Sequence, residues 1–489
     1  MKILMVASEC VPFAKTGGLA DVVYSLSREL EKRGDDVRIL MPGYSFLDKK
    51  IFESSASLKI SVPSQFRKER VTIRSAFLPD SSIKVYFLSH PLFRDRTGMY
   101  GDKDSPSYRD NHRRFILLNR AVFPLCEKTG WIPDVIHAHD WQAALIPSYL
   151  NNGEGGELFR KVKSVLTIHN IGYQGIFSKH DIHASSLPWS AVSNTKAGYN
   201  DSLNFLKAGI LNSDLITTVS PKYAEEIKTP SFGEGLENFL REREERLFGI
   251  LNGADYSQWN PERDPHIPVH FSADKTSGKE KLKEIIKKRF GLPVEEDLPL
   301  IGMVSRLASQ KGFNELCGSN GRKGALECIL EKEEVQIIIL GTGEKWIEDA
   351  LLKLQSRFKN LRVKIDFDNE LAHLIEAGSD FFLMPSRYEP CGLNQIYSLK
   401  YGTIPIVTET GGLSDSVTDY FADPDEGTGF YIPDFTAEAV CSSTEKAVRL
   451  WYTDRNKLKE IMKRGMKKDF SWKESAEKYR SLYRKIIAD

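Results

Sequence analysis

One turn occurs twice in this chain, once near each end: Thr16-Gly17-Gly18-Leu19-Ala20-Asp21 and Thr410-Gly411-Gly412-Leu413-Ser414-Asp415. The first separates the apolar run KILMVAS from the helical pattern ADVVYSLSRELEKRG, and the second follows the apolar run IPIVT. A short run that is apolar throughout reads as a strand buried on both faces, which places it in a parallel sheet with helices on either side. Glycines at the strand-to-helix turn have no Cβ, so helix-terminal N–H groups are open to an anion. The repeat therefore predicts two strand-to-helix phosphate cradles, one in each half of the chain.

Both halves carry the matching alternation of short apolar runs and helical patterns. KILMVAS, DVRILMP, KVYFLS, DVIHAHD, SVLTIHN and LITTVS are the strand candidates of the first half, and LIGMVSR, VQIIILG, VKIDF, FFLMPS and IPIVT those of the second. At 489 residues the chain exceeds one ordinary core. Asn252-Gly253 and the prolines of NGADYSQWNPERDP mark a link, giving domains at 1–258 and 259–470 and a final helical segment at 471–489. FSADKTSGKEKLKEIIKKRFGL reads as a basic, solvated helix, and the charge run in 231–250 as another exposed helix face.

A formal charge of +1 gives no global field to steer nucleic acid or an anionic membrane. No apolar run is long enough to cross a bilayer, and the chain opens directly on a strand, without a signal or transit segment. The six cysteines show no CxxC and no zinc spacing, so they read as reduced thiols in a bacterial cytoplasm.

The most informative stretch is MPSRYEPCGLNQIYSLKYGTIPIVTETGGLSDS, residues 384–416. It reads as strand end, polar loop, helix, buried strand and glycine turn, with Glu389 set beside the free N–H groups of the helix start. KTGGLADV, HAHDWQAAL, TIHNIGYQG, SRLASQKG and PSRYEPCGLNQIYSLKYGTIPIVTETGGL, in that order and along almost the whole chain, resemble the bacterial glycogen synthase and plant starch synthase family. That resemblance implies two Rossmann-like domains facing a cleft, the glycosyltransferase-B fold, with a C-terminal helix crossing back to the first domain. It also implies retaining transfer of glucose from ADP-glucose to the non-reducing end of an α-1,4-glucan such as glycogen.

Departure of a nucleoside diphosphate builds negative charge, which an Arg fork and a Lys point charge can hold; Arg306 and Lys311 match the family's pair at the distal phosphate. Glu389 matches the acid at the transferred glucose and His169 the histidine that meets it. Lys15, Gly17, Gly18, Asp21, Cys391, Gly392, Leu393, Thr410, Gly411 and Gly412 are expected on the donor. Asp21 has the alternative of a structural acid in the first helical turn. Asp140, Asn170 and Tyr100 are expected on the acceptor side, Asp140 with the alternative of orienting the neighbouring His169, and Asp110-Asn111 in the polar loop after the third strand are expected as further sugar contacts. His139 and Ser220 also fall at strand ends, where open α/β sheets bind ligands. No metal site is legible in the sequence, so neither metal nor cofactor is expected; ADP-glucose is a substrate.

Two departures stand out. After SRLASQKG the chain has Asn314 and three glycines in FNELCGSNGRKGALECILEKEE, which predicts a broken helix or an exposed loop. Relatives in the wider fold carry a second Glu eight residues after the first, where this chain has Tyr397. The rival readings are a UDP-glucose or small-acceptor transferase of the same fold and a non-catalytic glucan-binding relative. A nicotinamide-binding oxidoreductase is suggested only by GTGE after VQIIIL, an incomplete fingerprint.

Overall fold

The computed structural model describes residues 1–488 apart from 53–56, 65–66, 103–104, 106, 190–201, 319–320 and 333. The chain divides into unit 1, Met1–Gly253 with Trp472–Asp489, and unit 2, Ala254–Ser471.

Unit 1 holds β1 (Lys2–Val6), β2 (Asp36–Pro42), β3 (Leu58–Pro63), β4 (Lys68–Phe77), β5 (Lys84–Ser89), β6 (Val135–His139), β7 (Lys163–Ile168), β8 (Ile176–Ser178), β9 (Ser202–Asn204), β10 (Leu215–Thr218) and β11 (Leu247–Gly249). Nine of these form one sheet in the order β11-β10-β7-β6-β1-β2-β5-β4-β3. It is parallel except at β4, which runs antiparallel to both β5 and β3. The order reverses between β1 and β6, so the loops after these two strands open on the same crevice. The hairpin of β3 and β4 was not among the expected strands; LKISVP and KERVTIRSAF mix buried with exposed positions and lack the continuous apolar run that marks the inner strands.

Unit 2 holds β12 (Leu300–Val304), β13 (Gln336–Gly341), β14 (Leu361–Ile365), β15 (Phe381–Met384), β16 (Ile404–Thr408) and β17 (Phe430–Ile432). They form an all-parallel sheet in the order β14-β13-β12-β15-β16-β17, the doubly wound order, with its switch point between β12 and β15. Both faces are packed: Ile337 and Ile339 of β13 belong to a core with Phe313, Leu316 and Leu326, whereas Ile338 and Leu340 belong to another with Leu282, Ile286 and Leu374. Alternating residues thus feed opposite cores, which is why the strand is apolar throughout.

The last helix, Trp472–Ala488, belongs to unit 1. Arg480 pairs with the buried Asp35 at 2.9 Å, Arg33 donates to the Lys473 carbonyl at 2.8 Å, and the Tyr483 hydroxyl bonds His137 Nδ1 at 2.7 Å. Gly253 is needed where the chain meets this helix, since a Cβ there would lie 2.6 Å from Trp472 Cα.

Two expectations are corrected. Cys328 and Cys441 form a disulfide, while Cys10, Cys126, Cys317 and Cys391 are free. The helices Ala325–Leu330 and Ala437–Thr453 pack together and bring the two Cα atoms to 6.3 Å across a sequence separation of 113, a proximity that spacing along the chain does not encode. The basic helix, Ser277–Arg289, is also more than a solvated face. Lys279 is buried and donates to the carbonyls of Ala377 and Tyr401 and to Thr403 Oγ1, and burial pushes its ammonium down to about 7. The segment after SRLASQKG is a broken helix, Phe313–Cys317 and then Ala325–Leu330, with Gly318 at φ +77°; residues 319–320 lie outside the described part.

Candidate active site

In unit 2 the expected residues gather at the switch point. The turn Ser309–Lys311 follows β12 and the loop 385–393 follows β15. The two loops are bonded to each other: Arg387 N donates to the Gln310 carbonyl at 2.9 Å and Gln310 Nε2 to the Tyr388 carbonyl at 3.1 Å. Gly312, at φ +83°, lets them approach, because a Cβ would stand 2.1 Å from the Pro385 carbonyl oxygen. This brings Lys311 Nζ onto Glu389 Oε2, which also accepts from Ser386 Oγ at 3.0 Å. Glu389 is buried and Lys311 is largely so, while Arg306 is exposed. Asn394 Nδ2 ties the next helix to the Val304 carbonyl of β12 at 2.7 Å. A carboxylate, an ammonium and an exposed guanidinium thus share the end of one sheet, the charge set that a sugar bound to a diphosphate requires.

In the second T-G-G-L turn the Gly412 amide has a different use from the one expected. Gly412 N donates to the Glu389 carbonyl at 3.1 Å, so that amide is engaged by protein. A Cβ on Gly411 would lie 2.1 Å from the Glu389 oxygen, and one on Gly412 2.1 Å from the Cys391 oxygen. The pair allows the 389–391 loop to lie against the turn and so fixes Glu389 from behind. Cys391 and Thr410 are buried, Leu393 is half-buried, and Gly392 sits at φ +70° against Gln395. Tyr397, at the position of the missing second acid, stacks on Trp259 with ring centroids 4.0 Å apart. It packs the segment that enters unit 2.

GTGE is explained in the same way. A Cβ on Gly341 or Gly343 would lie 2.0 and 2.1 Å from the carbonyls of Ser305 and Leu307, and Glu344 accepts from Ser309 N at 3.0 Å. These residues support the Arg306 loop and form no dinucleotide turn. Phe367, which sequence reasoning missed, follows β14 at the same end of the sheet and is 85% exposed, the most exposed large apolar side chain described. No motif marks it; its signal is an aromatic directly after a strand.

In unit 1 Thr16, Gly17 and Gly18 of the first T-G-G-L turn are exposed, and Lys15 pairs with Asp21 at 2.8 Å. Here too an expectation changes. Glu9, buried just beyond β1, accepts from Thr16 N, from Thr16 Oγ1 at 2.6 Å and from Gly17 N at 3.4 Å. A carboxylate of the chain itself thus holds the amides of Thr16 and Gly17, of which Gly17 was expected to face phosphate. The Tyr100 hydroxyl also donates to Glu9 and bonds Ser8 Oγ at 2.7 Å, so its polar end supports the turn. Asn111 is buried between the Tyr100 carbonyl, Ser107 and Arg114, Asp110 pairs with Arg96, and Ser220 caps its own helix. Glu9 sits in an unremarkable S-E-C sequence and gave no signal.

Asp140 and His169 stand at the ends of β6 and β7. Asp140 has φ +54°, a conformation that costs energy outside glycine and concentrates at functional sites. Its Oδ1 accepts from His169 N at 2.7 Å. Burial pushes its carboxyl up to about 7, although the amides of His169 and Asn170 pull the other way. His169 is pushed down to about 3 by burial, so it is a neutral imidazole and a poor general base at pH 7. His139 Nδ1 and His169 Nε2 are 3.0 Å apart. Asn170 Oδ1 closes a local turn with Gly172 N at 2.9 Å. Among the described residues the one cluster with metal-ligand spacing is Cys328, Cys441 and Glu445, whose sulfurs form the disulfide.

Comparison with known proteins agrees with this architecture. Residues 2–242 match the starch synthase catalytic domain family and residues 284–468 match glycosyl transferases group 1. The chain is 45% identical to the glycogen synthase of Treponema denticola over 487 residues, covering 100% of this chain and 99% of that one. It is 42% identical to the glycogen synthase of Koribacter versatilis, covering 99% and 98%. The catalytic domain of starch synthase IV from Arabidopsis thaliana, solved with ADP and acarbose, superposes with a TM-score of 0.89 at 30% identity over 100% of this chain and 99% of that one.

Proposed function

The chain belongs to the bacterial glycogen synthase and plant starch synthase family of glycosyltransferases, and from that premise we propose that it moves glucose from ADP-glucose to the non-reducing end of an α-1,4-glucan with retention of configuration. The observation that carries this reading is the Lys311–Glu389 pair beside the exposed Arg306 at the switch point of unit 2. In the free protein each charge of the pair compensates the other. When the donor is bound, Lys311 and Arg306 take the phosphate oxygens, and Glu389 is left to orient the glucose hydroxyls and to face the positive charge that grows on the sugar ring. No covalent intermediate is needed: the acceptor enters on the face the diphosphate leaves, and a departing phosphate oxygen takes the acceptor proton. His169, neutral at working pH, binds the sugar by hydrogen bonding. Lys15 is assigned to the donor, Asp140 to holding the His169 backbone, and Asn170 to the acceptor side.

The phosphate charge is met by Arg306 and Lys311 without a metal, so EDTA leaves the rate unchanged. A nucleotide sugar and a glucan store are intracellular compounds, which places the reaction in a bacterial cytoplasm. The test is incorporation of labelled glucose into glycogen, with ADP-glucose and UDP-glucose offered separately and the linkage read by NMR. Efficient α-linked incorporation from ADP-glucose supports the reading. Preference for UDP-glucose moves the donor assignment, and binding of glycogen without transfer from either donor overturns the enzyme.

A further inference from the structure

His169 does not stand alone at the end of β7. His139, fully buried at the end of β6, faces it with Nδ1 3.0 Å from His169 Nε2. Behind His139 lies His137, the ring centroids 4.1 Å apart. His137 is fixed at both nitrogens, by Thr167 Oγ1 on one side and by the Tyr483 hydroxyl on the other. The outer nitrogen of His139, Nε2, is buried and has no hydrogen-bond partner. The mechanism above makes no use of His139.

Proton counting decides what this arrangement does. A neutral imidazole carries one N–H, and the short contact needs one N–H between the facing nitrogens. If His169 supplies it, the proton of His139 must sit on Nε2 as a buried donor without an acceptor. If His139 supplies it from Nδ1, what remains on Nε2 is a bare lone pair. Folded proteins leave buried acceptors unpaired more readily than buried N–H groups. The second arrangement therefore wins, and it puts the proton of His169 on Nδ1, the nitrogen that turns away from His139.

We propose that His139 is a positioning residue that holds His169 as its Nδ1–H tautomer, so that His169 offers the transferred sugar a proton donor and not an acceptor. This rests on the assignment of His169 to the sugar. It also explains why a histidine at this place is not a base: its only lone pair is already occupied by His139.

The test reads the tautomer directly. Long-range proton–nitrogen correlation on the full chain labelled with ¹⁵N-histidine is tractable with ten histidines, and the His169 signals are assigned by their loss in His169→Gln. At pH 7 the spectrum is expected to show Nδ1 protonated and Nε2 unprotonated; the reverse overturns the proposal. Two substitutions add a kinetic reading. His139→Asn places an amide donor near the old Nδ1 and is expected to stay within several-fold of wild-type kcat. His139→Asp places an acceptor there, draws the His169 proton to Nε2, and is expected to lower kcat by roughly a hundredfold with little change in donor KM. Equal losses in the two variants, both folded by thermal melt, overturn the proposal; if the Asp variant does not fold, the wild-type spectrum decides. A wild-type chain that transfers no glucose overturns the functional reading and leaves the tautomer measurement standing.

Discussion

Asp140 shows how the site exacts a cost on stability at a single residue. Its carboxyl is pushed up to about 7 from an ordinary 3.8 by burial, so between those values the folded chain holds a proton that the unfolded chain has lost. The stabilisation from this group is complete below about pH 4 and is lost as pH rises through 7, at about 1.4 kcal/mol for each unit of separation. Asn keeps the acceptor for His169 N and tolerates a positive φ. Asp140→Asn should therefore melt several degrees above wild type at pH 8 and close to it at pH 4. His137 and His169, both pushed down to about 3, act in the opposite sense, losing stability as pH falls below 6.5, but they are common to both proteins and cancel in the difference. Phe367 permits a second expectation. Strands lie about 4.8 Å apart, so the end of β14 stands roughly 10 Å from that of β12, about the span from base to distal phosphate in a nucleoside diphosphate. Phe367→Ala should raise the donor KM about tenfold with kcat nearly kept, since stacking of a base on an aromatic ring is worth about 1–3 kcal/mol. Glu389→Gln, which keeps the shape and removes the charge, should instead lower kcat by roughly a hundredfold or more.

Among the elements, the disulfide joins the broken helix after the Arg306 loop to the long helix Ala437–Thr453. Closing a loop of about a hundred residues is worth about 5 kcal/mol in the chain-entropy account. Dithiothreitol should lower the melting temperature of wild type but leave Cys328→Ser/Cys441→Ser unchanged, and mass spectrometry under non-reducing digestion should recover the linked peptides. That pairing shows where the sequence stops being readable. The inner strands were legible because a strand packed on both faces must be apolar throughout, as QIIILG is. The Lys311–Glu389 pair was legible as two motifs, although their contact was not. Cys328 and Cys441 meet only through helix packing, and Glu9 meets the first glycine turn only because β1 and the helix Gly18–Lys32 fold it there. The glycines themselves were read as openings for phosphate, whereas at Gly411 and Gly412 the close neighbour is the backbone of Glu389 and Cys391. A missing Cβ identifies close approach without saying what approaches.

In the whole molecule, both termini converge on one buried carboxylate. Asp35, the residue before β2, pairs with the Met1 amine at 2.9 Å and with Arg480 of the last helix at 2.9 Å. Its side chain is fully buried, so the two cations are what make its charge tolerable, and removing one partner of such a set costs about 3–5 kcal/mol. The helix Trp472–Ala488 also buries Trp472, Tyr479 and Tyr483 in unit 1. It is therefore an integral part of the first unit's core although it is translated after unit 2, and unit 1 cannot complete its packing until the whole of unit 2 has been synthesised. Asp35→Ala should loosen the last helix and β1 together. Hydrogen exchange is expected to rise in residues 472–488 and 2–6 while β12 to β16 keep their protection. Equal loss of protection in both units would mean that they unfold as one cooperative body; loss confined to the last helix would mean that it docks on a unit already stable without it.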